Sequence, residues 1–343
     1  MGWRGFGSDN HAGAHASVLA ALTAASTGHA HAYGDDEWTA RAIAVVRGHV
    51  GEDCDVAFTF NGTGANCVAL AAVCRPWHSV ICADSAHINT DEAAAPERLA
   101  GIKLIPVATT DGKLTPDLVK PHLGVLGFEH SAQPRVISVS NVTEFGTVYT
   151  PAELHALATL AHENGMLLHV DGARLANAAA ALDCGLRELT SGAGVDVLSF
   201  GGTKNGLVFG EAVVLFGDVR SADLVFVRKQ LGQLASKMRF VAAQFEALYG
   251  SDLWLESARH ANAAAARLAA GARAAGVQLT QEPQANEVFA LLPAQGVAGL
   301  QERFHFYTWR EDAAPGMHEV RWVCSWDTGD DEVDALVEAL GAV

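Results

Sequence analysis

Between residues 55 and 216, short apolar runs rich in β-branched residues alternate with segments whose apolar positions recur at helical spacing. The runs fall at 56–60, 80–83, 104–107, 136–140, 167–170, 195–200 and 212–216, and strand alternating with helix predicts an α/β fold with a mostly parallel seven-stranded sheet between helices. Ahead of them, 14–25 and 37–50 read as helices, the first ending near Gly28 and the second capped by Asp35 or Asp36. Two further helix starts are well marked: Thr150-Pro151-Ala152-Glu153 is a capping box with proline in the first turn, and Thr115-Pro116-Asp117 is a similar cap. Beyond Gly217 the pattern changes to long alanine-rich helices at 221–249 and 253–275. Strands at 277–279, 287–292, 303–308 and 319–324 and a last helix near 332–340 follow, which predicts a smaller C-terminal α+β domain. The expected division is an N-terminal arm and helix over 1–30, a large domain over 31–250 and a small domain over 251–343.

Composition narrows the function classes. Half of the 343 residues are hydrophobic and 18% are charged, which excludes a disordered chain. A formal charge of −16 repels nucleic acid and anionic membrane, so any anionic ligand needs its own cationic pocket. The six cysteines form no Cys-x-x-Cys pair, and most sit in apolar stretches, which reads as reduced thiols. The start lacks the apolar core of a signal peptide, and no stretch reaches the ~18 apolar residues of a membrane span, so a cytoplasmic protein is expected. No metal site is expected: His162-Glu163 has Met166 where a His-Glu-x-x-His motif needs its second histidine, and His29 and His31 stand without further ligands.

Three motifs fall where strands hand over to loops. Asn61-Gly62-Thr63-Gly64 follows the first run with small residues that leave backbone N–H groups free to face an anion, although it has neither Walker nor dinucleotide-binding spacing. His169-Val170-Asp171-Gly172-Ala173-Arg174 closes a strongly apolar strand; alone, it reads as well as an Asp171–Arg174 ion pair capping the next helix. Gly201-Gly202-Thr203-Lys204 sets a lysine directly after the next buried strand, where a desolvated amine can act as a nucleophile toward an aldehyde. Ligands bind at the carboxyl ends of parallel strands, and all three motifs lie there. An anion grip, a carboxylate for a ring nitrogen and an amine for an aldehyde are together the requirements of pyridoxal 5′-phosphate.

At these positions the chain resembles the low-specificity L-threonine aldolases, pyridoxal-phosphate enzymes of the aspartate-aminotransferase fold (fold type I). The matching residues are Ser8-Asp9-Asn10, Tyr33-Gly34-Asp35-Asp36, Asn61-Gly62-Thr63, Ala86-His87, His169 to Arg174, Thr203-Lys204 and Met238-Arg239. The resemblance implies that Lys204 forms the internal aldimine, Asp171 pairs with the pyridine nitrogen and His87 stacks on the ring. Gly62, Thr63 and Thr203 would hold the phosphate. Arg174, Ser8 and Arg321, with Tyr33, would take the substrate, while Lys229 and Arg239 would reach a neighbouring subunit's phosphate in a homotetramer built as a dimer of dimers. Some members carry a histidine where this chain has Glu144, so the base that accepts the β-hydroxyl proton is His87, Glu144 or a water between them.

The implied reaction cleaves L-threonine, L-allo-threonine and related β-hydroxy-α-amino acids to glycine and an aldehyde. Rival fates of the same cofactor are transamination, decarboxylation, β-elimination and hydroxymethyl transfer. A rival of another class is a non-catalytic Rossmann-like nucleotide-binding protein in which Lys204 is only a counter-ion.

Overall fold

The computed structural model describes residues 5–342, so the first four residues of the predicted arm lie outside the described residues. Helix α1 (Ala16–Ala25) and helix α2 (Glu37–Val50) come first, and Asp36 caps α2 by accepting the Thr39 N–H at 2.8 Å. The large sheet then forms from β1 (Cys54–Thr59), β2 (His78–Ala83), β3 (Lys103–Val107), β4 (Gln133–Ser140), β5 (Leu167–Gly172), β6 (Val197–Phe200) and β7 (Glu211–Phe216). Between these strands run α3 (Gly62–Val73), α4 (His87–Thr90), α5 (Ala95–Ala100), α6 (Pro116–Val119), α7 (Pro151–Glu163) and α8 (Leu175–Leu182). Thr150 and Glu153 form the predicted reciprocal capping box, and Thr115 caps α6.

Strand order is β1-β7-β6-β5-β4-β2-β3. Neighbours from β3 to β6 pair in parallel, whereas β7 runs antiparallel to both β1 and β6. Being covered on both faces, these strands read as near-continuous apolar runs rather than alternating ones. Val80, Ile81, Val136, Ile137, Leu168, Val170, Leu198 and Val214 have no exposed surface, and each such side chain contributes about 1.5–3 kcal/mol of burial.

The predicted helix over 221–249 is two helices, α9 (Leu224–Gln230) and α10 (Arg239–Tyr249). The break falls at Gly232, whose φ of +73° no helix accommodates. Helix α11 (Leu253–Ala274) leads into a four-stranded antiparallel sheet of order β10-β11-β9-β8. Its strands are β8 (Gln278–Leu279), β9 (Glu287–Pro293), β10 (Tyr307–Ala314) and β11 (Met317–Val323), with α12 (Ala294–Gln301) between β9 and β10 and α13 (Asp330–Leu340) at the end.

The strand expected over 303–308 is displaced: Phe304 and Phe306 are buried but precede β10, which pairs with β11 through a turn at Gly316. Arg310, Glu311 and Asp312 in β10 erase the apolar alternation because this strand is an exposed edge. The chain start joins the same sheet. Phe6 donates its N–H to His305 O at 2.7 Å, accepts from the Val323 N–H at 2.8 Å and packs among Phe304, Val320 and Trp322.

Candidate active site

The carboxyl ends of β1, β4, β5 and β6 open on one cavity, lined by Asn10, Asn61, Gly62, Thr63, Asn66, His87, Ser140, Val142, Glu144, Asp171, Ala173, Arg174, Thr203, Lys204 and Glu211. Because β7 runs backwards, its first residue lies at the edge where its neighbours end, which brings Glu211 into the same wall. On the β1 side, Asn61 accepts the Gly64 N–H at 2.7 Å, and Gly62 and Thr63 at the start of α3 face the cavity. Its positive N-terminal end and small residues suit a dianion.

Asp171 ends β5 with both oxygens fixed. Its Oδ1 accepts the Ala173 N–H at 3.0 Å and its Oδ2 accepts Asn66 Nδ2 at 2.8 Å. The same Asn66 nitrogen donates to Glu92 Oε1 at 2.8 Å, and that oxygen is 2.8 Å from His87 Nδ1. One amide thus spends both of its protons on two carboxylates, a buried chain linking Asp171 to His87. Sequence reading missed Asn66 and Glu92; the signal was an asparagine one helical turn past Gly62 in an otherwise apolar helix.

The Glu92 hydrogen bond raises the His87 pKa above its usual value, outweighing burial, with the Asp171 and Glu92 charges assisting and Lys204 opposing. Glu92→Gln keeps an acceptor but removes the charge, so the His87 pKa should fall and the acidic limb of the kcat/KM profile should move to lower pH. An unmoved limb would show that this pairing does not govern His87. Glu144 is beside it: Oε1 accepts the Ser140 hydroxyl at 2.6 Å and the His87 backbone N–H at 2.9 Å. Burial nevertheless raises its pKa. His169, by contrast, is a strand-packing residue. Its ring nitrogens lie 2.9 Å from Ser138 Oγ and 3.1 Å from Ser199 Oγ, and burial lowers its pKa to about 4, so it is neutral.

Lys204 lies in the 3₁₀ turn Thr203–Asn205 directly after β6. Glycine is required in this approach, since a Cβ on Gly201 would stand 2.5 Å from Ala173 O. That proximity brings the Lys204 turn against the end of β5, beside Asp171.

Arg174 does not pair with Asp171. Its Nε and Nη2 bind Asp9 Oδ2 and Oδ1 at 2.6 and 2.9 Å, and Nη2 is 3.6 Å from Glu287 Oε1. Burial alone would raise the Asp9 pKa, but the Arg174 charge, helped by Lys204 and by hydrogen bonds from Arg174 and Asn286, lowers it overall. Arg321 Nη1 is 3.7 Å from the same Glu287 oxygen, and its guanidinium lies 4.6 Å from the Trp309 ring centroid. Around Arg174 and Asp9 the small sheet therefore contributes Glu287 of β9 and Arg321 of β11, with Asn286 just ahead of β9. Ser8 stands nearby as the cap of the turn Asp9–His11, accepting the Asn10 N–H at 3.2 Å.

Of the predicted site residues, Ser8, Tyr33, Lys229, Arg239 and Arg321 are not among the residues lining this cavity. Lys229 Nζ lies 5.0 Å from the ring centroid of half-exposed Tyr33, and Arg239 donates to Ala25 O at 2.9 Å. Among the described residues no cluster of three metal-ligating side chains occurs, and no helix is long and apolar enough to cross a membrane.

The donor set fits pyridoxal phosphate: a dianion seat at α3, a pinned carboxylate, an amine between them, and a buried unpartnered amide oxygen, Asn66 Oδ1, in the wall. Fold and site together define a fold-type-I pyridoxal-phosphate enzyme. Residues 5–295 match the family model described as beta-eliminating lyase. The chain is 44% identical to the low-specificity L-threonine aldolase of Pseudomonas aeruginosa, over 98% of this chain and 97% of that protein. A solved Leishmania major threonine aldolase superposes with a TM-score of 0.94 at 32% identity, covering 99% of both chains. A structure of SPT with its PLP internal aldimine shares the fold, with a TM-score of 0.73 at 15% identity over 98% of this chain and 86% of that one. The chain belongs to the beta-eliminating lyase family and, within it, to the low-specificity L-threonine aldolases.

Proposed function

We propose that this protein cleaves L-threonine, L-allo-threonine and related β-hydroxy-α-amino acids to glycine and the corresponding aldehyde. The observation that carries this reading is the meeting of Lys204, Asp171, His87, Arg174 and the Gly62–Thr63 turn in one cavity. Bound pyridoxal phosphate supplies an aldehyde that captures an amine and a ring that withdraws electrons from the bond to be broken.

Lys204 would be the amine that holds the cofactor's aldehyde. Asp171, unable to rotate between Asn66 and the Ala173 N–H, keeps a proton on the ring nitrogen. Gly62, Thr63 and Thr203 bind the phosphate. Arg174, held from behind by Asp9, and Arg321, paired with Glu287, would take the substrate carboxylate with Ser8 and so orient the Cα–Cβ bond for cleavage. His87 would stack on the ring; with Nδ1 tied to Glu92, its Nε2 is left to exchange a proton with the β-hydroxyl, directly or through water. Glu144, committed to Ser140 and the His87 backbone, orients that residue.

The assembly is a homotetramer, a dimer of dimers, in the cytoplasm. Lys229, Arg239 and Tyr33, outside their own chain's cavity wall, complete a neighbouring subunit's site, and the division 1–30, 31–250 and 251–343 gives the arm, cofactor-binding domain and small domain.

Incubating purified protein with L-threonine, L-allo-threonine and phenylserine tests the reading. Glycine with acetaldehyde or benzaldehyde in equal amounts is expected. A keto acid, a decarboxylated amine or ammonia as the main product would instead assign another fate of the same cofactor.

A further inference from the structure

Glu211 has no part in the chemistry described so far, yet it opens a strand whose other five residues are apolar and buried. Its Oε2 accepts the Gly202 N–H at 2.7 Å, and the Thr203 hydroxyl stands beside the same carboxyl and favours its charge. Thr203 Oγ1 in turn accepts the Gly210 N–H at 3.1 Å. A threonine hydroxyl has two lone pairs but one proton. While Glu211 is ionised, that proton is held by the carboxylate or by Gly210 O, 3.4 Å away, and is unavailable to a ligand. Once Glu211 is protonated, the direction reverses: Glu211 O–H donates to Thr203 Oγ1, and the Thr203 proton turns toward the cavity.

We propose that Glu211 is a proton-coupled positioning residue of the anion seat: a phosphate dianion docking on Gly62, Thr63 and Thr203 brings one proton onto Glu211, which converts Thr203 into a donor to that anion. This inference rests on the reading of Thr203 as a phosphate ligand.

The surroundings of Glu211 favour such a poise. Burial pushes its pKa up to about 7, against the Thr203 side chain, the Gly202 N–H and the Lys204 charge, with Asp171 adding to the upward shift. On the side of α10, Tyr249 has its own pKa raised by burial and by Glu211, and its hydroxyl donates to Gly201 O at 2.5 Å. A dianion brought into this wall raises Glu211 further by like-charge repulsion, so binding and proton uptake reinforce one another. The proton comes from solvent on docking and returns to it on release.

The test uses the full chain freed of cofactor and inorganic sulfate, a tetrahedral dianion that does not itself titrate between about pH 6 and 9. In wild type, affinity measured by calorimetry should fall by up to about tenfold per pH unit above 7. In buffers of unlike ionisation enthalpy, binding near pH 8 should take up a proton. Glu211→Gln accepts from Gly202 and donates to Thr203 at every pH, so its affinity should fall less steeply over the same range, keeping only the slope that His87 and the other titrating groups of the cavity impose on both proteins, with uptake lower by up to one proton. A pure packing role moves neither readout. Equal slopes and equal uptake in the two proteins overturn the role of Glu211 while leaving the anion seat in place, and wild type with flat affinity and no uptake does so without the variant. Sulfate binding to neither protein overturns the seat itself and the phosphate assignment with it.

Discussion

Lys204→Ala should abolish the visible absorbance of the bound cofactor and lower kcat for L-threonine by at least about a thousandfold, with the fold intact. Lys204 follows β6 in a short turn and is only partly buried, so truncation leaves the sheet and the Gly201 contact with β5 unchanged. The loss is chemical: without that amine the cofactor is held by its phosphate and ring alone, and the nucleophile that hands it to substrate is missing. Absorbance, product formation and thermal unfolding, measured together, separate this from collapse. A variant that melts like wild type yet still makes glycine at an appreciable rate would deny Lys204 its role.

The second large effect is on stability. Arg174→Leu leaves Asp9 and Glu287 buried beside one another's charge with their shared guanidinium gone. Removing one partner of a buried, hydrogen-bonded pair costs about 3–5 kcal/mol, because the remaining charge is stranded. Urea unfolding should show that loss, and Asp9→Asn added to Arg174→Leu should recover part of it by neutralising the stranded carboxylate. The pH dependence has a fixed sign. Asp9 has a folded pKa below its ordinary 3.8, so the stabilisation is present above that value and is lost as pH falls through the depressed one. Simple additivity of the two substitutions would mean that the residues do not interact.

The large sheet was legible because its strands are covered on both faces and therefore stand out as apolar runs between helix signals; all seven lie within a few residues of where the pattern puts them. The small domain was less so. Strand β10 is an exposed edge with three consecutive charges, and the break between α9 and α10 depends on one left-handed glycine in an otherwise helical composition. In the site, Lys204 and Asp171 stood out as charged residues at the ends of apolar strands and Gly62 as part of a small-residue turn between strand and helix, whereas His87 entered only through the family resemblance. Asn66, Glu92 and Glu287 were not readable, because their roles depend on which distant residue they meet: Asn66 binds Glu92, 26 positions on, and Asp171, 105 positions on. Glu211 had a signal, a carboxylate heading an all-apolar strand, but only the reversed direction of β7 shows why it belongs at the cavity. Arg174 was read as a substrate ligand or an Asp171 partner, and its grip on Asp9 emerges only from a contact spanning 165 residues.

Borohydride reduction of the purified protein, which fixes the cofactor to whichever amine holds it, followed by peptide mass spectrometry, tests the central assignment most directly. A phosphopyridoxyl group on the peptide containing Lys204, in near-stoichiometric yield, is the expected result. An unmodified Lys204, or the label on a different lysine, would contradict it.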